Sequence, residues 1–95
     1  MNSSFEQIKS QIVPVLKKAG VTRSALFGSC VRGEMSKESD VDLLIEFPPE
    51  KSLLEFLRLK LELEKNLCRG VDLVEYITLK PIVRESVFSE KIEIL

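Results

Sequence analysis

The stretch FGSCVRGEMSKESDVDLLIEF, residues 27–47, contains the features that decide the fold. Its last seven residues, VDLLIEF, are rich in β-forming side chains and end at two prolines, which cannot continue a β-ladder. Its first residue, Phe27, ends the short run 24–27, and the chain then turns at Gly28-Ser29. We therefore predict two strands separated by a sharp turn, a short helix over 29–33 and a polar loop over 34–39.

Apolar residues recur at helical spacing on both sides of this stretch. The N-terminal set predicts a helix that ends at Gly20, and Pro14 is expected to kink or shorten it. A second helix, over about 52–67, is predicted by five leucines: Leu53, Leu54, Leu57, Leu61 and Leu67. A third strand over 71–76, a last helix over 81–88 and an edge strand over 91–95 follow. This order predicts one α/β (α+β) domain, residues 1–95, in which helices cover a small sheet.

Asp40 and Asp42 stand at the opening of the VDLLIEF strand. Side chains two positions apart on a strand point to the same face, and at roughly 3.3 Å of rise per residue the two Cα atoms lie about 6–7 Å apart. Carboxylates at that spacing can share divalent ions, and hard oxygen ligands select Mg²⁺ or Mn²⁺. Solvated acids are the alternative for an isolated Asp-x-Asp, but two like charges leading into a very apolar strand call for a cation between them.

Gly28-Ser29, directly after a strand, is the second candidate for a functional role. Glycine lets the backbone turn tightly and approach a phosphate closely. Ser29 and the amides that follow it at a helix start can then donate hydrogen bonds to phosphate oxygens. A plain strand-to-helix turn is the alternative, and a Gly-Ser pair alone does not exclude it.

The composition excludes several kinds of chemistry. The chain has no histidine, which removes Ser-His-Asp and Cys-His hydrolysis and histidine-ligated zinc sites. Its 14 basic and 15 acidic residues give a net charge of -1, which disfavours tight nucleic-acid binding. The two cysteines form no disulfide framework and are expected to be small, partly buried apolar residues. Short apolar runs and an unremarkable N-terminus predict no membrane segment, no signal peptide and a cytoplasmic location.

Gly-Ser, ten residues and then Asp-x-Asp, here Gly28-Ser29 followed by Asp40-Val41-Asp42, is the signature of the DNA polymerase β-like nucleotidyltransferase superfamily. Arg32-Gly33-Glu34 and the run 39–44 resemble the minimal nucleotidyltransferase branch in particular. The resemblance is densest over residues 23–76. It implies the nucleotidyltransferase fold, a small mixed β-sheet with flanking helices.

The resemblance also implies a role for each residue of the signature. Gly28 and Ser29 would hold the β- and γ-phosphates of a nucleoside triphosphate, with ATP as the substrate. Asp40 and Asp42 would coordinate two Mg²⁺ ions. One ion would neutralise the triphosphate, and the other would lie between the donor and the attacking hydroxyl.

Asp72, in the third predicted strand, matches the third carboxylate of this superfamily. The resemblance implies that it ligates the second metal and helps to deprotonate the acceptor hydroxyl, while a turn residue after Gly70 is the alternative. Glu75 is a poorer match, because it faces the other side of the strand. Arg32 reaches the triphosphate or pairs with Glu34 or another nearby acid, and the sequence leaves both open.

Minimal nucleotidyltransferases are typically paired with a HEPN-domain RNase in type VII toxin–antitoxin modules. The resemblance therefore implies a Mg²⁺-dependent protein adenylyltransferase that moves AMP from ATP to a tyrosine hydroxyl of a cognate HEPN toxin, with a hetero-oligomer as one expected form. Two alternatives stay open. One is a non-catalytic antitoxin that neutralises its partner by binding, and the other is a nucleotidyltransferase for a small molecule, which the lack of room for an acceptor-binding domain disfavours.

Overall fold

The computed structural model describes residues 3–33 and 39–95, so the predicted loop over 34–39 lies outside the described residues except for Ser39. The elements, in chain order, are α1 (Ser3–Ala19), β1 (Arg23–Phe27), α2 (Ser29–Arg32), β2 (Val41–Glu46), α3 (Leu53–Leu67), β3 (Val71–Glu75), a 3₁₀ helix (Tyr76–Thr78), α4 (Pro81–Glu90) and β4 (Ile92–Glu93). This order agrees with the sequence prediction. The third strand ends one residue earlier than expected, because Tyr76 begins the 3₁₀ helix.

The sheet has four strands in the order β3-β2-β1-β4. β1 runs antiparallel to β2 and β4, whereas β2 and β3 are parallel. The register places Asp42 opposite Phe27 of β1 and opposite Asp72 of β3. The expected mixed sheet with flanking helices is therefore confirmed, and β2, one of its two interior strands, follows directly on Asp40.

Alternate residues of β2 face a core that α1 and α3 cover. Val41, Leu43 and Ile45 are fully buried in this core. The two helices contribute five more buried side chains, namely Ile8, Ile12 and Leu16 from α1 and Leu59 and Leu63 from α3. Because neighbouring residues on a strand point to opposite faces, Asp42 and Leu44 face away from this core.

The opposite face of the sheet carries a smaller cluster. Ala25 and Leu44 pack there with Tyr76 of the 3₁₀ helix and Val87 of α4. Asp42 lies on the same face and is half-buried, because this cluster covers less of the sheet than α1 and α3 do. β2 therefore presents its aspartate on the thinly covered face.

Pro14 lies inside α1, and the helix continues beyond it to Ala19. The expectation that this proline shortens the helix is wrong. Ile12 and Leu16, on either side of it, are fully buried and hold the segment against the core. Pro14 itself is exposed, so its ring displaces no core side chain.

α3 begins after Ser52, whose hydroxyl accepts a 3.2 Å hydrogen bond from the Glu55 backbone N–H. Its inner face consists of the buried Leu59 and Leu63 with the half-buried Phe56 and Leu67. Four of the five leucines that predicted the helix lie on its outer face, with exposed fractions of 73% for Leu53, 57% for Leu54, 46% for Leu57 and 65% for Leu61. The helix itself is confirmed, and it leaves an apolar outer face.

The two cysteines differ in burial. Cys30, in α2, is buried, and burial raises the pKa of its thiol. Cys68 is exposed and ends α3 in the left-handed conformation, with φ 55, so the expectation of partial burial is wrong for it. Within the described ranges, no helix is long and apolar enough to cross a bilayer.

Candidate active site

The parallel pairing of β2 and β3 brings two carboxylates together. Asp42 and Asp72 are register partners, and adjacent strands lie about 4.8 Å apart. Asp42 is half-buried, whereas Asp72 is exposed. Burial raises the pKa of Asp42, and the negative charges of Asp72 and Asp40 raise it further, while Arg32 opposes the rise. Asp42 is therefore crowded by like charge and only partly solvated.

Asp40 precedes β2 by one residue and shares a face with Asp42. Its carboxylate lies beside Gly70, where an added Cβ would stand 2.5 Å from Oδ1. The Val41 N–H donates to the Gly70 carbonyl at 2.9 Å, which holds this close approach in place. Asp40 is thus near the carboxylate pair, with its side chain directed toward the turn before β3.

The carboxylates suit a hard divalent cation in chemistry, although they are not gathered around one point. Across residues 3–33 and 39–95, no group of three acidic or thiol side chains is close enough to hold a metal ion. Asp42 and Asp72 supply adjacent oxygen donors, and Asp40 adds a third acid nearby. Oxygen donors are those that Mg²⁺ prefers, and a cation would relieve the repulsion that raises the pKa of Asp42. These residues therefore fit Mg²⁺.

Gly28 turns the chain directly against Asp42. Its backbone has φ 75 and ψ -148 and forms the N-cap of α2, and its carbonyl accepts from the Val31 and Arg32 N–H groups at 3.1 Å. The space that a Cβ would need is taken by the Asp42 carboxylate. Only glycine combines this conformation with so close an approach. The Gly28-Ser29 turn and the aspartate pair are separate in the sequence, and the fold therefore brings them into contact.

Glu90, the last residue of α4, also reaches this turn. Its Oε1 accepts from the Gly28 N–H at 3.0 Å, and both of its carboxylate oxygens lie 3.0 Å from Nη1 of Arg32. The sequence left two partners open for Arg32, namely the triphosphate and a nearby acid such as Glu34. Glu34 lies outside the described residues. Among the described residues, Glu90 is an acid that pairs with Arg32, and no motif pointed to it, because a glutamate ending a predicted helix resembles any solvated acid.

The start of β3, next to Asp72, is fixed by a side chain of α3. Glu64 Oε2 accepts from the Val71 N–H at 3.0 Å and from Lys60 Nζ at 3.3 Å. The bond from Val71 is the main reason that the pKa of Glu64 lies below its ordinary value. Because the lowered pKa favours the ionised form, this support is present at neutral pH and is lost as the pH falls through the carboxyl's range.

This fold and this carboxylate pair beside a Gly-Ser turn define a class of enzyme. A family model described as a nucleotidyltransferase domain matches residues 9–94, and the chain belongs to that family. The chain is 40% identical over 91 residues to the protein adenylyltransferase MntA of Thermococcus cleftensis, with 92% of each sequence covered. The superfamily resemblance is therefore confirmed, and so is its minimal branch.

Solved structures agree with this assignment. A structure described provisionally as a minimal nucleotidyltransferase superposes with a TM-score of 0.81 at 37% identity, covering 94% of each chain. A chain in the structure of a tri-AMPylated Shewanella oneidensis HEPN toxin in complex with MNT antitoxin gives a TM-score of 0.73. That second likeness is one of fold, since the identity is 17% over 96% of this chain and 71% of the other.

Proposed function

We propose that the chain is a protein adenylyltransferase that transfers AMP from ATP to a tyrosine hydroxyl of a HEPN-domain RNase and so acts as a type VII antitoxin. The observation that carries the proposal is the Asp42–Asp72 pair lying against the Gly28 turn. The activity named for the Thermococcus relative, at 40% identity over 92% of each sequence, supports the reaction. The AMPylated toxin in the structurally similar complex supports the partner.

In this proposal the turn and the carboxylates divide the work. Gly28, whose N–H donates to Glu90, provides the turn that lets Ser29 and the amides after it reach the β- and γ-phosphates, and Asp40, Asp42 and Asp72 would hold Mg²⁺. Bound Mg²⁺ neutralises the charge of the triphosphate and of the transition state. The acceptor hydroxyl attacks the α-phosphorus, the bond from that phosphorus to the bridging oxygen breaks, and pyrophosphate leaves.

Asp72 is the residue best placed to serve the acceptor. It is exposed, whereas Asp42 is half-buried, so an incoming hydroxyl meets the Asp72 side of the pair. Its carboxylate accepts the proton that the hydroxyl loses. Removing Asp72 should therefore slow the transfer step more than it weakens ATP binding.

A protein acceptor is favoured by the outer face of α3. Leu53, Leu57 and Leu61 stand four residues apart and are 73%, 46% and 65% exposed, so they form one apolar stripe along the helix. Exposed apolar patches of this kind commonly mark protein interfaces. A small-molecule acceptor needs no such surface, so we infer a hetero-oligomer with the RNase.

The test is intact-mass spectrometry of the HEPN partner after incubation with this protein, ATP and Mg²⁺. We expect a mass gain of one or more adenylyl groups that Asp40→Ala abolishes, while Glu50→Ala, an exposed acid outside the site, retains it. A partner that is silenced without a mass gain would favour neutralisation by binding alone. AMP found only on a small molecule would contradict the protein acceptor.

Gly28→Ala should separate backbone strain from damage to the site. An alanine at φ 75 costs about 1–2 kcal/mol, and its Cβ must displace the Asp42 carboxylate. Gly20→Ala is the matched control, because φ is 88 there and the nearest side-chain atoms, 3.2 Å away, belong to the flexible Lys51. Urea unfolding should show a loss of stability in both variants, larger in Gly28→Ala because of the contact with Asp42, and AMP transfer should fall only in Gly28→Ala. Equal activity in the two would show that the Gly28–Asp42 approach is dispensable.

A further inference from the structure

Glu90 joins two separate parts of the molecule. It ends α4, and its carboxylate binds the Gly28 amide and the Arg32 guanidinium, 62 and 58 residues earlier in the chain. The Glu90 side chain is 31% exposed and that of Arg32 47%, so the pair is partly open to solvent. A charged carboxylate that accepts from a backbone amide and a guanidinium together forms strong, directional hydrogen bonds.

The Gly28 turn and α2, which Glu90 contacts, are too short to be stable without contacts from the rest of the fold. α2 has four residues, far fewer than a helix needs to be stable alone, and it begins after Gly28, whose φ is positive at 75. The orientation of Ser29 and of the amides after it therefore depends on contacts from outside. Cys30 anchors the inner side of α2 in the core, and Glu90 fixes the outer side.

Glu90 also governs where the Arg32 charge lies. Arg32 is close enough to Asp42 to act on that carboxyl electrostatically. Without the Glu90 carboxylate, the guanidinium would be drawn toward the two aspartates, where it would compete with a metal ion. The Glu90 carboxylate holds the Arg32 guanidinium instead, with 3.0 Å between Glu90 Oε1 and Arg32 Nη1.

We propose that Glu90 is a positioning residue for nucleotide binding, which holds the Gly28 amide and Arg32 so that the phosphate-binding turn is preformed and the aspartates stay open to Mg²⁺. This role rests on the function proposed above. In this role the Glu90 carboxylate does not touch the reacting atoms and acts only through Gly28 and Arg32. A carboxylate on α4 thus belongs to the site although it lies outside the Gly-Ser and Asp-x-Asp signature.

The test is the equilibrium binding of ATP with Mg²⁺ by isothermal titration calorimetry, which needs no acceptor. Glu90→Gln keeps the shape of the side chain but loses its charge, and we expect the Kd for ATP to rise roughly tenfold or more. Glu93→Gln is the control, because Glu93 pairs with Lys91 and Arg23 at 3.5 and 3.8 Å, away from the turn. Circular dichroism at the temperature of the titration confirms that each variant is folded.

A double-mutant cycle with Arg32→Gln compares the Kd for ATP of the two single variants with that of the double variant. A general loss of structure would not be expected to couple these two positions specifically. We expect the double variant to bind ATP no more weakly than the weaker-binding single variant, because both changes break the same contact, the one between Glu90 and Arg32. Additive losses, or an unchanged or tighter Kd in folded Glu90→Gln, would overturn the role; a tighter Kd would mean that Glu90 competes with phosphate. A wild-type protein that binds no ATP would instead contradict the proposed function itself.

Discussion

Asp42→Asn should transfer AMP about 10³-fold more slowly than the wild-type protein and yet melt at a higher temperature in buffer without divalent ions. The loss corresponds to roughly 4 kcal/mol of transition-state stabilisation, since about 1.4 kcal/mol is a factor of ten. It follows from removing a carboxylate that, in the proposed mechanism, holds Mg²⁺ next to the triphosphate. An amide oxygen carries no charge and binds Mg²⁺ far more weakly.

The gain in stability follows from the pKa of Asp42, which burial first and Asp72 second raise above the ordinary value. A carboxyl whose pKa is higher in the folded state stabilises the fold below its unfolded-state pKa, and this contribution is lost as the pH rises through the folded-state pKa. At neutral pH the ionised Asp42 is therefore a net cost, and asparagine removes it. A gain below about 1 kcal/mol raises the Tm of a domain of this size by less than about 8 °C.

Differential scanning fluorimetry with a chelator at pH 4.5 and 7.5, together with a single-turnover transfer assay, checks both parts. The Tm advantage of Asp42→Asn should be larger at pH 7.5, and added Mg²⁺ should stabilise the wild type but not the variant. Glu50→Gln, at an exposed acid outside the site, should change neither quantity. A variant that melts lower than the wild type at pH 7.5 would show that like-charge repulsion does not dominate this site.

Leu43→Ala should destabilise the protein by about 3–5 kcal/mol, the range for fully buried leucines that leave a cavity. Leu43 is 0% exposed and faces the core of α1 and α3, directly behind Asp42. Small domains have only about 5–15 kcal/mol of stability in total, so this change removes a large share. At about 4–8 °C per kcal/mol, the Tm should fall by at least roughly 12 °C.

Leu61→Ala is the matched control, because the same substitution is made at a side chain that is 65% exposed. Its unfolding free energy should stay within about 0.5 kcal/mol of the wild type. Urea unfolding of the two variants measures both values. A loss of less than 1.5 kcal/mol for Leu43→Ala would mean that the core closes over the missing methyl groups.

Local patterns predicted much of this architecture. The VDLLIEF run became β2 because β-forming residues bounded by prolines leave few other choices, and the Gly28-Ser29 turn followed from a glycine after an apolar run. Asp72 could be proposed only through the family's third carboxylate. Its pairing with Asp42 depends on the parallel crossover through α3, which spans 30 positions and has no local signal.

Other features depend on tertiary contacts that a single sequence does not reveal. Pro14 sits inside α1 because burial of its neighbours outweighs the loss of one backbone hydrogen bond. The leucine pattern of α3 fits either helix face, and the side chosen by the sheet is that of Leu59 and Leu63. Glu90 joins the site from 62 residues away through a backbone amide, and amides carry no sequence information.

The division of α3 into two leucine faces has an evolutionary consequence. The inner pair, Leu59 and Leu63, packs in the core against the sheet, so substitutions there destabilise the fold and are selected against. The outer leucines contribute little to the stability of the fold, and substitutions among them are nearly neutral for the monomer. Substitutions can therefore accumulate on the outer face at little cost to folding, whereas the inner face and the sheet beneath it tolerate few.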